Sequence, residues 1–516
     1  MNGFGFSLTL PTCRNGGGTP PAEPQLPAFL PALTTADASY QSIYSSARLR
    51  LGYSGPLVQA GSELGAGQVG VSASDVQAAR GGSEALRVAG WYDQSGNGRH
   101  AITQDAAEQP ALHEEVTIGA VPLMLFDGRR LGDFRGAQHR RLSAPATLTA
   151  NDCTIAYVID PTVSVQQQYY FELVDAAGTA TSLGHLQYPG AQFGGALPDV
   201  HGNIALNTAT GLGRDCGRKI ATVPQVMMMR STATALDIFI DGAKIATLGA
   251  LSGTTGTLFL GMASSAGLTE YIPNFRLGCF LTIDKGVSDG DVAAITTALM
   301  TRFDIPASYD AVVATIGTSR VAGGALGTLT RTKQWFERNH YGPRRIKTYN
   351  LGLDGRPLSY HYANRAAWAL ELGDPDRPTV YVIDDPINDL GGLGASTDPA
   401  AIYTLYTDYR AALDALGANV EVVFATCLPQ ASGAYAGLTG RSDAAIEADR
   451  QTLNAAIRAN AGGASAISDP AASPTMGAYP AGPGDPSRYP DALHPSSLGY
   501  SEVAAFNPAA ALMALE

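Results

Sequence analysis

Cysteine is scarce and poorly placed for cross-linking. The 516 residues hold five, Cys13, Cys153, Cys216, Cys279 and Cys427, odd in number and never spaced as C-x-x-C. That pattern indicates neither a disulfide framework nor a zinc site, and suits folding in a reducing cytosol. Positive charge is also short: Lys+Arg 34 against Asp+Glu 46 leaves a net charge of -12. With no basic run to follow a phosphate backbone, nucleic acid is not an expected partner. No stretch approaches the ~18 apolar residues of a membrane span. The first eleven residues lack a basic segment leading into a long apolar one, so neither a membrane nor Sec-type export is expected.

What the chain does have is turn-forming residues, Gly 59 and Pro 31, with only 16% charged residues. The length exceeds the ~250–300 residues at which one core stops growing, so two or more domains are expected. Residues 1–38 read as an anchor around Phe4-Gly5-Phe6 followed by a Gly/Pro-rich linker, or equally as an untied terminus. Residues 39–304 read as short strands broken by turns, at 154–159, 236–240 and 257–261, the pattern of an antiparallel β-sandwich. Asp241-Gly242 predicts a tight hairpin. Ser288 with Asp291 predicts the start of a helix running to Phe303.

From 308 to 516 strand and helix alternate. Strands are expected at 311–316, 345–350, 379–383 and 420–424, with amphipathic stretches near 326–340, 361–372, 400–416 and 443–460. This predicts a three-layer α/β domain with a doubly wound parallel sheet, whose site lies beyond the strands' carboxyl ends.

Two motifs sit at that edge. Gly317-Thr318-Ser319-Arg320 follows the first strand, where a serine hydroxyl is exposed at a strand-to-helix turn; by itself such a serine is more often a helix cap. Asp491-Ala492-Leu493-His494-Pro495 follows the last strand, with a spacing that lets the carboxylate reach the imidazole of the same turn.

These motifs resemble the SGNH (GDSL-like) hydrolases over about two fifths of the chain. Gly317-Thr318-Ser319 matches the first block, with Thr318 where the family has Asp. Residues 350–355 look like the second block and residues 386–389 like the third, with Pro386 where the family has Gly. Residues 491–495 match the last block closely. The resemblance implies Ser319 as nucleophile, His494 as base and Asp491 as its orienting carboxylate, with no cofactor. It also implies an oxyanion hole made of the Ser319 N–H, the Gly355 N–H and the Asn388 amide.

In the N-terminal half, residues 44–57 and Trp91 to Ala101 resemble the concanavalin-like jelly rolls of arabinofuranosidase-type and laminin-G modules. No matching pair of catalytic carboxylates accompanies them, so a lectin-like or structural module is expected. Asp93, Ser95 and Asn97 read as a turn rather than a calcium loop, and no metal is expected. The G-x-G-x-x-G at 65–70 follows no predicted strand and opens no helix, so it reads as a turn. Ser288 in Gly286–Gly290 reads as a cap, not a nucleophile elbow. Tyr479 and Tyr489, in the Pro/Gly-rich segment 471–490, are candidates for stacking on sugar rings, with surface packing as the even alternative. Trp335 and Trp368 read as core.

Together these features predict a carbohydrate esterase, most simply a deacetylase, acting on cell-surface polysaccharide. Its expected setting is the surface of a phage or gene-transfer-agent particle, as a spike or fibre joined to other virion proteins through its N-terminus. Homo-oligomers, often trimers, are expected of such proteins. The competing readings are a non-catalytic adhesin using the hydrolase fold as a glycan scaffold, and a cytoplasmic lipase or thioesterase, which would need an acyl tunnel.

Overall fold

The computed structural model describes residues 30–516 apart from 51, 82, 84, 119, 128–139, 162–167, 176–180, 189–202, 209–210, 262–273, 323–332, 354, 366–375 and 418. The expected anchor around Phe4, and Trp368, lie outside the described residues.

Two large antiparallel sheets, of nine and ten strands among the described residues, occupy the first three hundred positions. They face each other across one core that includes Tyr157, Phe171, Leu258 and Phe280. Tyr157 and Phe280, neighbours in the nine-stranded sheet, stack at 5.7 Å, and Phe171 of the other sheet meets Tyr157 edge-on at 5.6 Å. The central strand Cys153–Pro161 is buried at all nine positions. A sandwich strand with one solvated face should alternate, so both of its faces must be covered. The side chains of Ile155, Tyr157 and Ile159 enter the inter-sheet core. Ala156 and Val158 pack the other way, against Val292, Ile295 and Leu299 of the helix Asp289–Arg302. The expected sandwich therefore gains an outer helical layer.

Local signals set the edges of these elements. Ser288 caps that helix by accepting from the Asp291 N–H at 3.1 Å. Asp241 and Gly242 take φ of 50° and 83° between the strands Ala235–Ile240 and Ala243–Gly249, the turn geometry that a two-residue hairpin needs. The Asp93 carboxylate accepts from the N–H groups of Ile43, Ser95 and Arg99 and from the Ser95 hydroxyl, which makes it the tie of a turn. Around Gly65–Gly70 the structure departs from expectation in one respect: a short strand, Ser62–Leu64, does precede the run. That strand pairs antiparallel with Val58–Ala60, so no crossover unit is present there.

Among the described residues the remaining sheet has five parallel strands: Ala311–Gly317, Ile346–Gly352, Thr379–Ile383, Val420–Ala425 and Ala466–Ser468. In space the second lies outside the first, followed by the third, fourth and fifth. The order thus reverses at the first strand, and the crevice opened there is where α/β sheets hold ligands. One face packs Ala314, Ile316, Tyr381 and Phe424 against Tyr406 and Leu413 of Pro399–Asp414 and Leu453 of Asp443–Ala459. The other packs Val313, Val380 and Val423 against Ala510 and Ala511 of Phe506–Ala514. Each fully buried Leu or Ile in such layers stabilises the fold by roughly 1.5–3 kcal/mol.

The outer edge of this sheet is not left open. Thr222, which follows the edge strand Gly211–Lys219 of the ten-stranded sheet, donates its N–H to the Thr348 carbonyl at 2.7 Å, and the two hydroxyls lie 3.1 Å apart. Nearby, buried Asp160 accepts from Arg338 at 2.6 and 3.1 Å and from Arg276 at 3.4 Å. A segment of the antiparallel half thus covers a strand edge that would otherwise invite pairing with another chain.

Candidate active site

The first parallel strand ends at Gly317, whose carbonyl accepts from the Leu353 N–H at 3.0 Å. A Cβ at this position would stand 2.4 Å from Val321 Cγ2 and 2.6 Å from the Asp384 carbonyl oxygen. Only glycine lets the chain turn so tightly against the end of the third strand. Ser319 then opens a single helical turn, Ser319–Ala322, and is 8% exposed.

His494 arrives from a separate loop. The Asp491 Oδ1 accepts from the N–H groups of Leu493 (3.0 Å) and His494 (2.7 Å), closing a small turn in which Ala492 takes a φ of 59°. The other oxygen, Oδ2, lies 2.7 Å from His494 Nδ1, and His494 Nε2 lies 2.9 Å from Ser319 Oγ. With Nδ1–H donating to the carboxylate, Nε2 is left as the acceptor of the serine proton. Burial alone would raise the Asp491 carboxyl, but the hydrogen bonds from the His494 ring and backbone outweigh it and hold it at about 2.

A second histidine stands near this turn and is unsuited to proton transfer with solvent. His361, on the helix Leu358–Ala363, is fully buried, and that burial pushes its pKa down to about 3, opposed by a hydrogen bond with the Gly317 backbone.

The expected oxyanion donors come from adjoining loops. Gly355 takes a φ of 69°, and the next residue's carbonyl, that of Arg356, accepts from Asn388 Nδ2 at 2.9 Å. Gly355 and Asn388 are thereby neighbours, three residues past the Gly317–Gly352 register pair and beyond the third strand respectively. The Tyr435 hydroxyl donates to Asn388 Oδ1 at 2.7 Å, which fixes which way the carboxamide faces. One Asn388 N–H is committed to the Arg356 carbonyl, which leaves the second N–H of the amide.

The two tyrosines from 471–490 fare differently. Tyr489 is 1% exposed, with its hydroxyl on the Met476 carbonyl and its ring packed with Leu428, Met476 and Val503. A ring so enclosed has no face to offer a sugar, so the stacking role expected of it is corrected to core packing. Tyr479 is partly exposed. The segment itself is a series of hydrogen-bonded turns, tied down where Arg488 meets Glu502 at 2.9 Å. Trp335 is also only partly buried, its ring under the Arg276 guanidinium at 5.9 Å.

The sequence reading passed over two residues that the geometry brings in. Asp385, at a φ of 53°, accepts from the Thr318 hydroxyl at 2.6 Å and lies 3.3 Å from Arg320. Tyr435 orients Asn388. A signal existed for the first: the doublet Asp384-Asp385 ends a strand buried at every position, and charges so placed are seldom unpaired. Asp384 meets Lys333 and accepts from Asn507 at 3.1 Å. No comparable sequence signal marked Tyr435.

No family model matches the chain, and no curated protein does. Among solved structures, a mutant GH54 α-L-arabinofuranosidase soaked with 4-nitrophenyl α-L-arabinofuranoside is similar at 14% identity with a TM-score of 0.40. The match covers 52% of this chain and 63% of that one, so the chain spans less than two thirds of the arabinofuranosidase's length. A GDSL-like lipase from Bacteroides thetaiotaomicron is similar at 15% identity, covering 39% of this chain and 87% of that chain, with a TM-score of 0.29. Domain 4 of a GH43 extracellular arabinanase from Geobacillus stearothermophilus, in complex with arabinotriose, is similar at 9% identity over 50% of this chain and 98% of that one, TM-score 0.31. At these scores the likenesses carry no weight for function, which has to be read from the sheets and the Ser319–His494–Asp491 geometry.

Proposed function

We propose that the chain is a serine esterase that removes acyl groups, most simply acetyl, from a polysaccharide. The observation that supports it most is the continuous relay from Asp491 Oδ2 through His494 to Ser319 Oγ, at 2.7 and 2.9 Å, at the reversal point of a parallel sheet. In this reading Nε2 of His494 takes the proton of Ser319 as Oγ forms a bond to the ester carbonyl carbon. The negative charge moves to the carbonyl oxygen, met by the N–H groups of Ser319 and Gly355 and the remaining N–H of Asn388, each worth about 3 kcal/mol. When the tetrahedral carbon collapses, its bond to the sugar oxygen breaks and His494 returns the proton to that oxygen. Water, deprotonated in turn by His494, then attacks the acyl-serine and releases the acid. The imidazolium formed in each half is stabilised by the Asp491 carboxylate.

The polysaccharide part of the proposal draws on the antiparallel half, which Thr222 and Asp160 join to the sheet that carries Ser319. The virion-surface setting, attachment through residues 1–38 and trimeric assembly draw on the sequence alone, and sedimentation of the purified chain tests the last. The chemistry is tested by incubating wild type and Ser319→Ala with an O-acetylated surface polysaccharide and following free acetate by proton NMR. Wild type should release acetate and the variant should not. Equal release, or none from wild type on any ester including p-nitrophenyl acetate, would return the chain to the reading of a glycan-binding adhesin.

A further inference from the structure

Arg320 follows the serine directly in sequence, yet it is 2% exposed. Its Nε donates to the Leu493 carbonyl at 2.8 Å, Nη1 to the Leu428 carbonyl at 2.8 Å and Nη2 to the Pro429 carbonyl at 2.9 Å, while Nη1 also lies 3.3 Å from Asp385 Oδ1. Its own carbonyl accepts from the Tyr500 hydroxyl at 2.7 Å. Asp385 follows the third strand, Leu428 and Pro429 follow the fourth, and Leu493 precedes His494. One guanidinium therefore ties together the turns at the carboxyl edge of the sheet and the histidine loop.

The bond to Leu493 acts closest to the chemistry. On one side of Leu493 and His494 the backbone N–H groups are held by Asp491, and on the other side the Leu493 carbonyl is held by Arg320. Arg320 is at the same time covalently joined to Ser319. The two ends of the Ser319–His494 hydrogen bond are thus referred to a single residue, one through its backbone and the other through its guanidinium. Lysine could not reproduce this, because its three donors radiate from one point whereas the guanidinium presents five in a fixed fork.

We propose that Arg320 is the positioning residue for proton transfer between Ser319 and His494, setting the distance of the imidazole from the hydroxyl through the Leu493 carbonyl. The inference rests on the reading of Ser319 as nucleophile and His494 as base. A displacement of about 1 Å at a reacting pair costs on the order of 100-fold in rate, so loss of this tie should act on kcat while leaving KM nearly unchanged.

The test compares wild type, Arg320→Lys, the double variant Arg320→Met/Asp385→Asn, and Arg338→Lys, the last weakening a half-buried arginine that meets Asp160 and Thr222 rather than the Ser319 turn. The double variant removes both partners of the buried pair and so avoids stranding a charge if Arg320→Lys fails to fold. For each folded protein, kcat and KM on p-nitrophenyl acetate and the rate of Ser319 labelling by a fluorophosphonate are measured well below the unfolding midpoint. Expected are a fall of about 100-fold in kcat and in labelling rate for the Arg320 variants, with KM within about threefold, and wild-type rates for Arg338→Lys. Folded Arg320 variants that react within threefold of wild type, or losses that only follow the folded fraction, would overturn the positioning role alone. A wild type that neither labels at Ser319 nor hydrolyses the ester would overturn the nucleophile assignment with it.

Discussion

Replacing Asp491 by Asn isolates the contribution of one carboxylate, because the side chain keeps its size and loses only its charge. In the wild type, Oδ2 accepts the Nδ1–H of His494 at 2.7 Å and Oδ1 accepts two backbone N–H groups. Those backbone donors hold the carbonyl oxygen of an Asn in the Oδ1 position, which turns its NH₂ toward Nδ1. A donor facing Nδ1 favours the tautomer protonated on Nε2, and a protonated Nε2 cannot accept the Ser319 proton. The lost attraction between carboxylate and imidazolium is worth about 4 kcal/mol at an effective dielectric near 20. Asp491 is 31% exposed on its side chain, so solvent screening reduces this to about 3–4 kcal/mol, or 10²–10³ in kcat. Stability should change in a second, separable way. The folded carboxyl is held down from 3.8 to about 2, so it stabilises the fold above pH 3.8 and loses that contribution as pH falls through 2. Discounted for exposure, this amounts to on the order of 1–2 kcal/mol at pH 7. Steady-state hydrolysis of p-nitrophenyl acetate, with urea unfolding at pH 7 and pH 2, measures both. If kcat of the folded Asp491→Asn protein stays within threefold of wild type, the carboxylate does not orient the base and the relay has been misread.

Three further outcomes follow from the same geometry. Tyr435→Phe removes the donor that fixes Asn388 Oδ1; kcat should fall about tenfold with stability changed by about 1 kcal/mol, and an unchanged kcat would show that the amide needs no such support. Glu337 is fully buried, and that burial, opposed by Lys333 at 3.9 Å, pushes its pKa up from 4.5 to about 7. The folded state therefore holds this proton more tightly than the unfolded one, and stability should drop as pH rises from 4.5 through 7; Glu337→Gln should flatten that slope and gain on the order of 2 kcal/mol at pH 8, as read from unfolding midpoints across the range. Asp160→Asn leaves two arginines without their shared carboxylate and should cost about 3 kcal/mol, seen as a lowered thermal midpoint with kcat per folded molecule retained.

The parts of the fold that were legible in the sequence are those whose signals are local. Alternation broken by turns marked Ala235–Ile240, the αL pair Asp241-Gly242 marked its hairpin, and Ser288 marked its helix. The four longer parallel strands stood out as short buried segments alternating with amphipathic stretches; the fifth, Ala466–Ser468, is three residues long and too short to show a period. That the helix Asp289–Arg302 lies over Cys153–Pro161 could not be read from either segment alone, because which face of a strand a distant helix covers leaves no local signal. Tyr489 was misassigned because composition marks a segment as Pro/Gly-rich without saying that its turns close over a core. Contacts between elements, such as Thr222 with Thr348 or Tyr435 with Asn388, leave no periodic trace at all.

The site's departure from its motif is explained by the same distinction between chain position and place in space. The first block carries Thr318 where the resemblance called for an aspartate, yet a carboxylate is present at that point: Asp385 reaches it from the end of the third strand and accepts the Thr318 hydroxyl at 2.6 Å. For the backbone to present Asp385 there it adopts a φ of 53°, a conformation that asparagine and aspartate tolerate better than other side chains do. The charge is then balanced by Arg320, the residue on the far side of Ser319, at 3.3 Å. Hydroxyl, carboxylate and guanidinium thus bracket the serine in the order Thr318, Asp385, Arg320, and a negative charge stands beside Thr318 although the segment itself carries none. If the Thr318–Asp385 contact is what holds the Ser319 turn, an aspartate at 318 should not substitute for it: Thr318→Asp would set two carboxylates against each other in a buried site, and only the double change Thr318→Asp/Asp385→Asn should recover the stability and the rate that the single change forfeits.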